Sequence, residues 1–499
     1  MMHSRIGRRH KAGHRFVAVS AALASTITPV FSQDAPAPAP KMQTPNQQGL
    51  WPTVPQLANK DAAGRGIQRT MRLLATSTPT QRNTVRILFY GQSITEQDWS
   101  RQVADDLRKR FPNANLQIEN RAIGGFASQL LINPAEHDLY PFYPDLVIFH
   151  VYGSDQQYEE IIRNIRSRTT AEVLMQRDHV AAKMPDPKAT PETDKGLWWD
   201  NHMNSHRLPE IARTYGCGLA DVRGEWLRYL QDNHLPPKAL LKDDVHLNAQ
   251  GCFVMAQIIN QYLVYRPELA GKEPVPDVRD VSVGKEARWD KGRLVLEFEG
   301  NRLDLLPGIG AKGARLQVRI DGRAPSAHPE IFAFTRPAPN PWSPLALVRV
   351  DHAAPLLAED WTLKVTAVTG DEPKNATWRY EVSGSLTGPD GSGSSDTIFV
   401  SKSGRVKISP TGFFRGFSPP LPVGHTITWR SYLLGTDAYE ALPSSAQNLK
   451  ENAVLLAQGL TNGRHRLELI LDDPASPPPA IKALRVYKPS MPAKQSSGK

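Results

Sequence analysis

The rhythm of apolar and polar positions changes once along the chain, near residue 270. Before that point, short apolar runs alternate with stretches whose apolar residues recur every three or four positions. Val85–Tyr90 (VRILFY) is β-rich, of strand length, and stops at Gly91. Trp99, Val103, Leu107 and Phe111 then follow at a spacing of four, which marks one face of a helix. Thr95 with Asp98 resembles a capping box that opens this helix. Ser93 therefore falls in a tight strand-to-helix turn. Residues 116–120 and 145–152 read as the next strands, the second apolar throughout, as a strand buried on both faces should be. A helix is expected over 156–168, a strand over 171–176, a helix from Met203, a strand over 216–222, a helix over 225–233 and a strong final helix from Ala249. Such alternation predicts an α/β fold: a parallel sheet with helices on both faces, three layers in all.

After a Pro-containing joint at 271–280, the pattern becomes one of short β-type runs, including RLVLEFE, ARLQVRI, WTLKVTAV, TWRYEVSG and IKALRVY. Asp321-Gly322, Pro389-Asp390-Gly391 and Asn462-Gly463 read as turns between them. This predicts a separable all-β sandwich or jelly-roll region over 275–488, as one domain or two. Phe332–Trp342 and Phe413-Phe414 are exposed-looking aromatic segments that could stack on sugars, although aromatic rings in a sandwich more often belong to its core. Residues 489–499 read as a disordered tail.

Composition alters this picture mainly at the N-terminus. Half of the formal +10 charge comes from Arg5, Arg8, Arg9, Lys11 and Arg15, in a first 32 residues that contain no acid. A basic stretch followed by FVAVSAALASTITPVF has the form of a signal peptide over 1–32, so export to the periplasm or the extracellular space is expected. No later segment is long and apolar enough to span a membrane. Residues 33–82 begin as a Pro/Ala-rich linker, mobile to about Lys60, and continue as a helical or irregular lead-in to a domain at 83–268. The mild remaining positive charge, without a basic stripe interleaved with aromatics, argues against a nucleic-acid partner. Cys217 and Cys252 make neither a disulfide framework nor a zinc site.

Chemistry concentrates at the ends of expected strands, the edge where doubly wound sheets bind ligands. Ser93 is the first candidate, as a nucleophile lifted out of the sheet. Gly124-Gly125, after the second strand, can bring backbone N–H groups close to a developing oxyanion. Tyr152-Gly153-Ser154-Asp155 closes the central strand and offers a side-chain donor. Asp243 lies three residues before His246, a spacing that lets a carboxylate hold an imidazole by its second nitrogen. Asp244 is an alternative orienting acid. Arg177, His179, Trp198 and Trp199 lie between strand and helix, where substrate loops occur, and with Gln92 are candidates for lining the site. His150 reads as a core histidine and Asp221 as structural.

The order of these blocks resembles the SGNH-hydrolase superfamily, the GDSL-type esterases, over about residues 85–267. Gly91-Gln92-Ser93-Ile94 stands for the Gly-Asp-Ser block, Asn120 and Gly125 for the second, Gly153-Ser154-Asp155 for Gly-x-Asn-Asp, and Asp243 with His246 for Asp-x-x-His. Two departures stand out: Gln92 replaces the usual Asp, and Ser154 falls where the family has its oxyanion Asn. The resemblance implies a flavodoxin-like sheet and a Ser-His-Asp mechanism. In it Ser93 is the nucleophile, His246 the base and Asp243 its orienting acid. Ser93 and Gly125 supply oxyanion N–H groups, and either Ser154 is the third donor, a neighbour such as Gln156 takes its place, or the hole has two donors; no metal or cofactor is implied. The expected substrates are short-chain acyl esters, acetyl above all, on small molecules or polysaccharide. A degenerate, carbohydrate-binding hydrolase domain is the alternative from another class; lipase and acyltransferase are the alternatives among enzymes.

Overall fold

In the computed structural model, residues 49–269, 277–310, 314–337, 346–372, 374–416, 421–440 and 453–491 are described. The signal-like segment 1–32 and most of the proline-rich stretch lie outside them.

Five parallel strands form the first sheet: β1 (Thr84–Gly91), β2 (Asn115–Asn120), β3 (Leu146–His150), β4 (Glu172–Gln176) and β5 (Gly218–Ala220). Their order is β2-β1-β3-β4-β5, so the sheet is doubly wound with its switch between β1 and β3. Alternate side chains of the inner strands feed two cores. Ile87, Phe89, Leu146 and Ile148 face one; Leu88, Tyr90, Val147 and Phe149 face the other. This two-sided demand for apolar residues makes β1 and β3 continuous apolar runs.

Among the described residues, ten α-helices surround the sheet: α1 (Gln68–Ala75), α2 (Ser93–Glu96), α3 (Trp99–Arg110), α4 (Ser128–Leu131), α5 (Ala135–Asp138), α6 (Asp155–Arg168), α7 (Pro191–His202), α8 (Leu208–Tyr215), α9 (Val222–Asp232) and α10 (Ala249–Tyr262). Helices α1, α3, α9 and α10 supply the first core, and α6 and α8 supply the second. The boundary expected at residue 83 moves towards the N-terminus. Val54 and Leu57 are buried, and Leu57 N–H donates to Gln261 Oε1 at 3.0 Å. Helix α1 is part of the domain: its first N–H groups, from Arg69 and Thr70, donate to the Glu172 carboxylate at 2.8 and 2.7 Å. A carboxylate there meets the positive end of the helix dipole.

Thr95 and Asp98 do not form a capping box. Thr95 is buried and its hydroxyl donates to His150 O at 3.3 Å, while a break at Gln97 separates the one-turn α2 from α3.

The C-terminal region is antiparallel β-structure in two main sheets with separate cores. The first runs Ala438–Glu440, Arg315–Ile320, Val454–Leu471, Arg293–Pro307, Ile481–Lys488 and Asp277–Ser282, with Trp289–Asp290 paired on Arg293–Pro307. The second runs Phe332–Phe334, Thr426–Leu433, Glu359–Thr369, Thr377–Gly384 and Gly388–Ser394, and is inserted between strands of the first. Pro389-Asp390-Gly391 is thus strand and not turn, and Asn462-Gly463 marks a bulge within one long strand. Phe332, Phe334 and Phe413 are buried in the cores and present no exposed platform; 338–345 lie outside the described residues.

The β-region is packed into the second core of the α/β sheet. Val348 belongs to that core, and Phe414 packs on Phe126 with centroids 4.7 Å apart. Tyr143 Oη donates to Asn301 Oδ1 at 2.7 Å, and Gln458 Nε2 donates to Pro141 O at 3.0 Å. Buried His137 completes the seam: Nδ1–H donates to Phe334 O (3.2 Å), while Nε2 accepts from Val350 N–H (3.1 Å). Met491, in the expected tail, donates its N–H to Arg166 O at 3.3 Å.

Candidate active site

The carboxyl edge of the sheet gathers the Ser93, Gly125 and Ser154 loops, and the loop before α10 brings His246 to Ser93. Extended backbone at Gln92 turns the chain out of β1, and the N–H groups of Thr95 and Glu96 close on Gln92 O. Ser93 is consequently the first residue of α2, half-buried. Its Oγ lies 2.9 Å from His246 Nε2. His246 Nδ1 lies 2.9 Å from Asp243 Oδ2. A carboxylate only accepts, so Nδ1 carries the proton and Nε2 presents its lone pair to the Ser93 hydroxyl. Asp243 Oδ1 also accepts the N–H groups of Val245 (2.8 Å) and His246 (2.7 Å). These bonds to the charged form lower its pKa to about 2. Asp244 pairs instead with Lys238 Nζ at 2.8 Å, so the geometry gives the imidazole to Asp243.

Two residues hold the His246 loop in place. The Gln97 amide clamps Leu247, accepting its N–H at 3.0 Å and donating to its C=O at 2.8 Å. This couples the turn after Ser93 to the loop that carries His246. His179 Nε2–H donates to Val245 O at 2.7 Å, and its ring packs on Trp226. His179 is buried, and burial lowers its pKa to about 4, so it is neutral under ordinary conditions. It supports the loop from behind and does not line a binding surface, which corrects its expected role. Sequence reasoning missed both supports because each acts on backbone atoms far along the chain.

The remaining candidates separate. Gly125 is exposed at φ +77, and its N–H meets no protein acceptor among the described residues. Glu96 holds the adjacent peptide through Gly124 N–H at 2.7 Å, and Asn120 Nδ2 ties β2 to Thr95 O at 2.7 Å. Ser154 precedes α6 with its N–H on Gln129 Oε1 at 3.2 Å. Gln92 is buried. Arg177 pairs with Asp221 at 3.2 Å and is thereby turned to a structural role. Asp221 itself caps α9 through Gly224 N–H. Trp198 and Trp199 lie half-buried on α7, with Trp198 stacked on His202 at 5.6 Å and 10°. The segment leading to α7 touches the loop that carries His246 through Ala182 N–H to Asp244 O at 2.9 Å.

His150 is a core histidine with a partner the sequence did not disclose: its Nε2 lies 2.9 Å from Asp178 Oδ1. A turn of π-helix at Met203–Arg207 carries Asn204, which bonds Asp178 by both amide atoms. A cavity of about 340 Å³ lies in the seam with the β-region; its lining includes Tyr140, Arg168 and His352 but none of Ser93, Asp243 and His246.

Residues 89–252 match the model of the GDSL-like Lipase/Acylhydrolase family. This segment is a GDSL-like lipase/acylhydrolase domain. Among solved structures, the chain is similar to a two-domain esterase (CEX) active on acetylated mannans, at 15% identity over 86% of this chain and 97% of that one, with a TM-score of 0.35. It is also similar to Axe2, an acetylxylan esterase from Geobacillus stearothermophilus, at 16% identity over 38% of this chain and 98% of that one (TM-score 0.32). LAE5, an alpha/beta hydrolase enzyme from the metagenome of Lake Arreo, Spain, aligns at 19% identity over 37% of this chain and 98% of its own (TM-score 0.32). No curated protein matches the chain.

Proposed function

We propose that this protein is an exported serine esterase that removes short acyl groups, acetyl above all, from carbohydrate. The observation that carries the esterase reading is the line of two 2.9 Å contacts from Ser93 Oγ through His246 to Asp243. In the first step the Ser93 proton passes to His246 Nε2 as Oγ bonds to the ester carbonyl carbon. The carbonyl π electrons move onto oxygen, where the N–H groups of Ser93 and Gly125 hold the oxyanion. Collapse breaks the bond to the alcohol oxygen, which leaves with the proton from His246 Nε2. Water then attacks the acyl-Ser93 ester by the same proton relay and frees the acid. Asp243 stabilises the imidazolium that forms twice per turnover.

Two features support the substrate class. The N-terminal 32 residues have the form of an export signal, and outside the cytoplasm decorated polysaccharide is an accessible ester. Trp198, half-exposed and stacked on His202, offers a ring on the helix that follows the segment touching the catalytic loop. The test is acetate release from a panel of acetylated polysaccharides, run beside nitrophenyl esters of increasing chain length. Acetyl esters should turn over fastest; faster turnover of long-chain esters would reject the substrate class.

A further inference from the structure

The oxyanion site of this domain departs from its family pattern at Ser154, which stands where an Asn amide is expected. The surrounding contacts show a second amide in the same place. Gln129, the second residue of α4, lays its side chain over the Gly153–Ser154 turn. Its Oε1 accepts Ser154 N–H at 3.2 Å and lies 3.4 Å from Ser128 Oγ. Only the amide oxygen can accept a backbone N–H, so this bond fixes which end of the amide is which. Nε2, with two N–H groups, is left without an acceptor among the described residues, on an exposed side chain.

The turn is shaped to admit this amide. A Cβ at Gly153 would fall 2.5 Å from Gln129 Oε1 and 2.8 Å from Ser128 Oγ, and Gly153 sits at φ +121. Glycine at 153 clears the space that Gln129 enters. The same segment carries Gly125 four residues earlier, and it is tied to the turn by Ser128 N–H to Tyr152 O (2.9 Å) and Ser128 Oγ–H to Ser154 O (2.7 Å). The amide thus stands at the junction of the two loops that the family uses to build its oxyanion hole.

We propose that Gln129 Nε2 is the third oxyanion donor, replacing the Asn amide that Ser154 does not supply. This rests on the esterase reading above. The oxyanion of the tetrahedral intermediate accepts three N–H bonds, from Ser93, Gly125 and Gln129, and no proton changes hands at Gln129. Gln129 is then a catalytic residue, and its amide acts on kcat because the negative charge it holds exists only in the transition state and intermediate.

Three variants test this on the full chain, with acetyl-ester kinetics and thermal melting read together. Gln129→Met removes the donor without adding charge, and Gln129→Glu keeps the acceptor for Ser154 N–H while losing the donor. Both should lower kcat by about 10²–10³-fold, the usual effect of one lost oxyanion donor, with KM within about twofold and melting unchanged. In the double variant Gln129→Met/Ser154→Asn, an amide returns at the family position and kcat should recover at least tenfold over Gln129→Met. A kcat within threefold of wild type in either single variant, a loss carried by KM alone, or no recovery in a normally melting double variant would each overturn the assignment. Ser93→Ala run in parallel separates the two readings. Full activity there removes the serine mechanism itself; an inactive Ser93→Ala beside fully active Gln129 variants removes only the role of Gln129.

Discussion

Asp243 makes three hydrogen bonds within its own loop, and this local economy is why the Asp-x-x-His spacing could be read without a structure. The same bonds give the pH dependence a definite form. The depressed pKa of Asp243, about 2, keeps its carboxylate ionised throughout the working range. Protonation of Asp243 should therefore add nothing to the acid limb of the pH–rate profile above about pH 3. Above about pH 3, log(kcat/KM) should fall towards acid with a slope of one; a slope of two would mean that Asp243 titrates alongside. The supports of this loop were not legible. His179 and Gln97 bond backbone atoms 66 and 150 residues away, and no side-chain pattern records such a partner. Gln129 was hidden for the same reason: the sequence shows the missing Asn at 154 but not which amide approaches the turn.

Elements with a one-sided or two-sided apolar pattern were legible; those held by polar contacts were not. β1, β3, α3, α6 and α10 follow their apolar spacing. Helix α1 was obscured because it buries Gln68, Arg69 and Thr70; Arg69 and Thr70 find partners in β4 and the segment before β3, and Gln68 finds them at Gly64, Val264 and Arg266. Gly388–Ser394 looks like a loop, yet it pairs with Thr377–Gly384, where the rings of Tyr380 and Phe399 occupy the space beside Gly393. Helix α5 carries the seam to the β-region, and two of its titratable residues, His137 and Asp138, respond oppositely to acid. Burial lowers His137 to about 4, so between roughly pH 6.5 and 4 the unfolded chain binds a proton that the folded chain refuses, and stability falls as pH falls. Burial raises Asp138 to about 6, so its contribution grows as pH falls through that value. Removing only the histidine isolates the first effect. His137→Gln should destabilise most near pH 7, and the gap to wild type should narrow by up to about 3 kcal/mol on acidification to pH 4. Denaturant melts at both pH values measure it; a constant gap would refute the assignment.

At the scale of the whole molecule, residues 49–499 form one compact unit, which changes what the β-region is for. A break in sequence rhythm near 270 suggested separable parts, because rhythm reports the secondary structure of each part and not the surface between them. Phe414 packs on Phe126, the residue after Gly125, so the β-region buttresses the loop proposed to offer an oxyanion donor. Tyr140, Phe142 and Tyr143 are also buried near this seam and would be uncovered without it. A fragment ending at 269 should therefore be poorly soluble and lose turnover on a small acetyl ester as severely as on polymer. A soluble fragment with wild-type kcat on the small ester would show the β-region to be dispensable for the fold. The claim beneath all of these is that Ser93, held on His246, forms the acyl enzyme. Hydrolysis of a small acetyl ester by the full chain and by Ser93→Ala, at equal concentration, tests it most directly. Turnover in Ser93→Ala should drop by at least about 10⁴-fold, to the residual level that binding and oxyanion donors alone sustain; retention of wild-type turnover would contradict it.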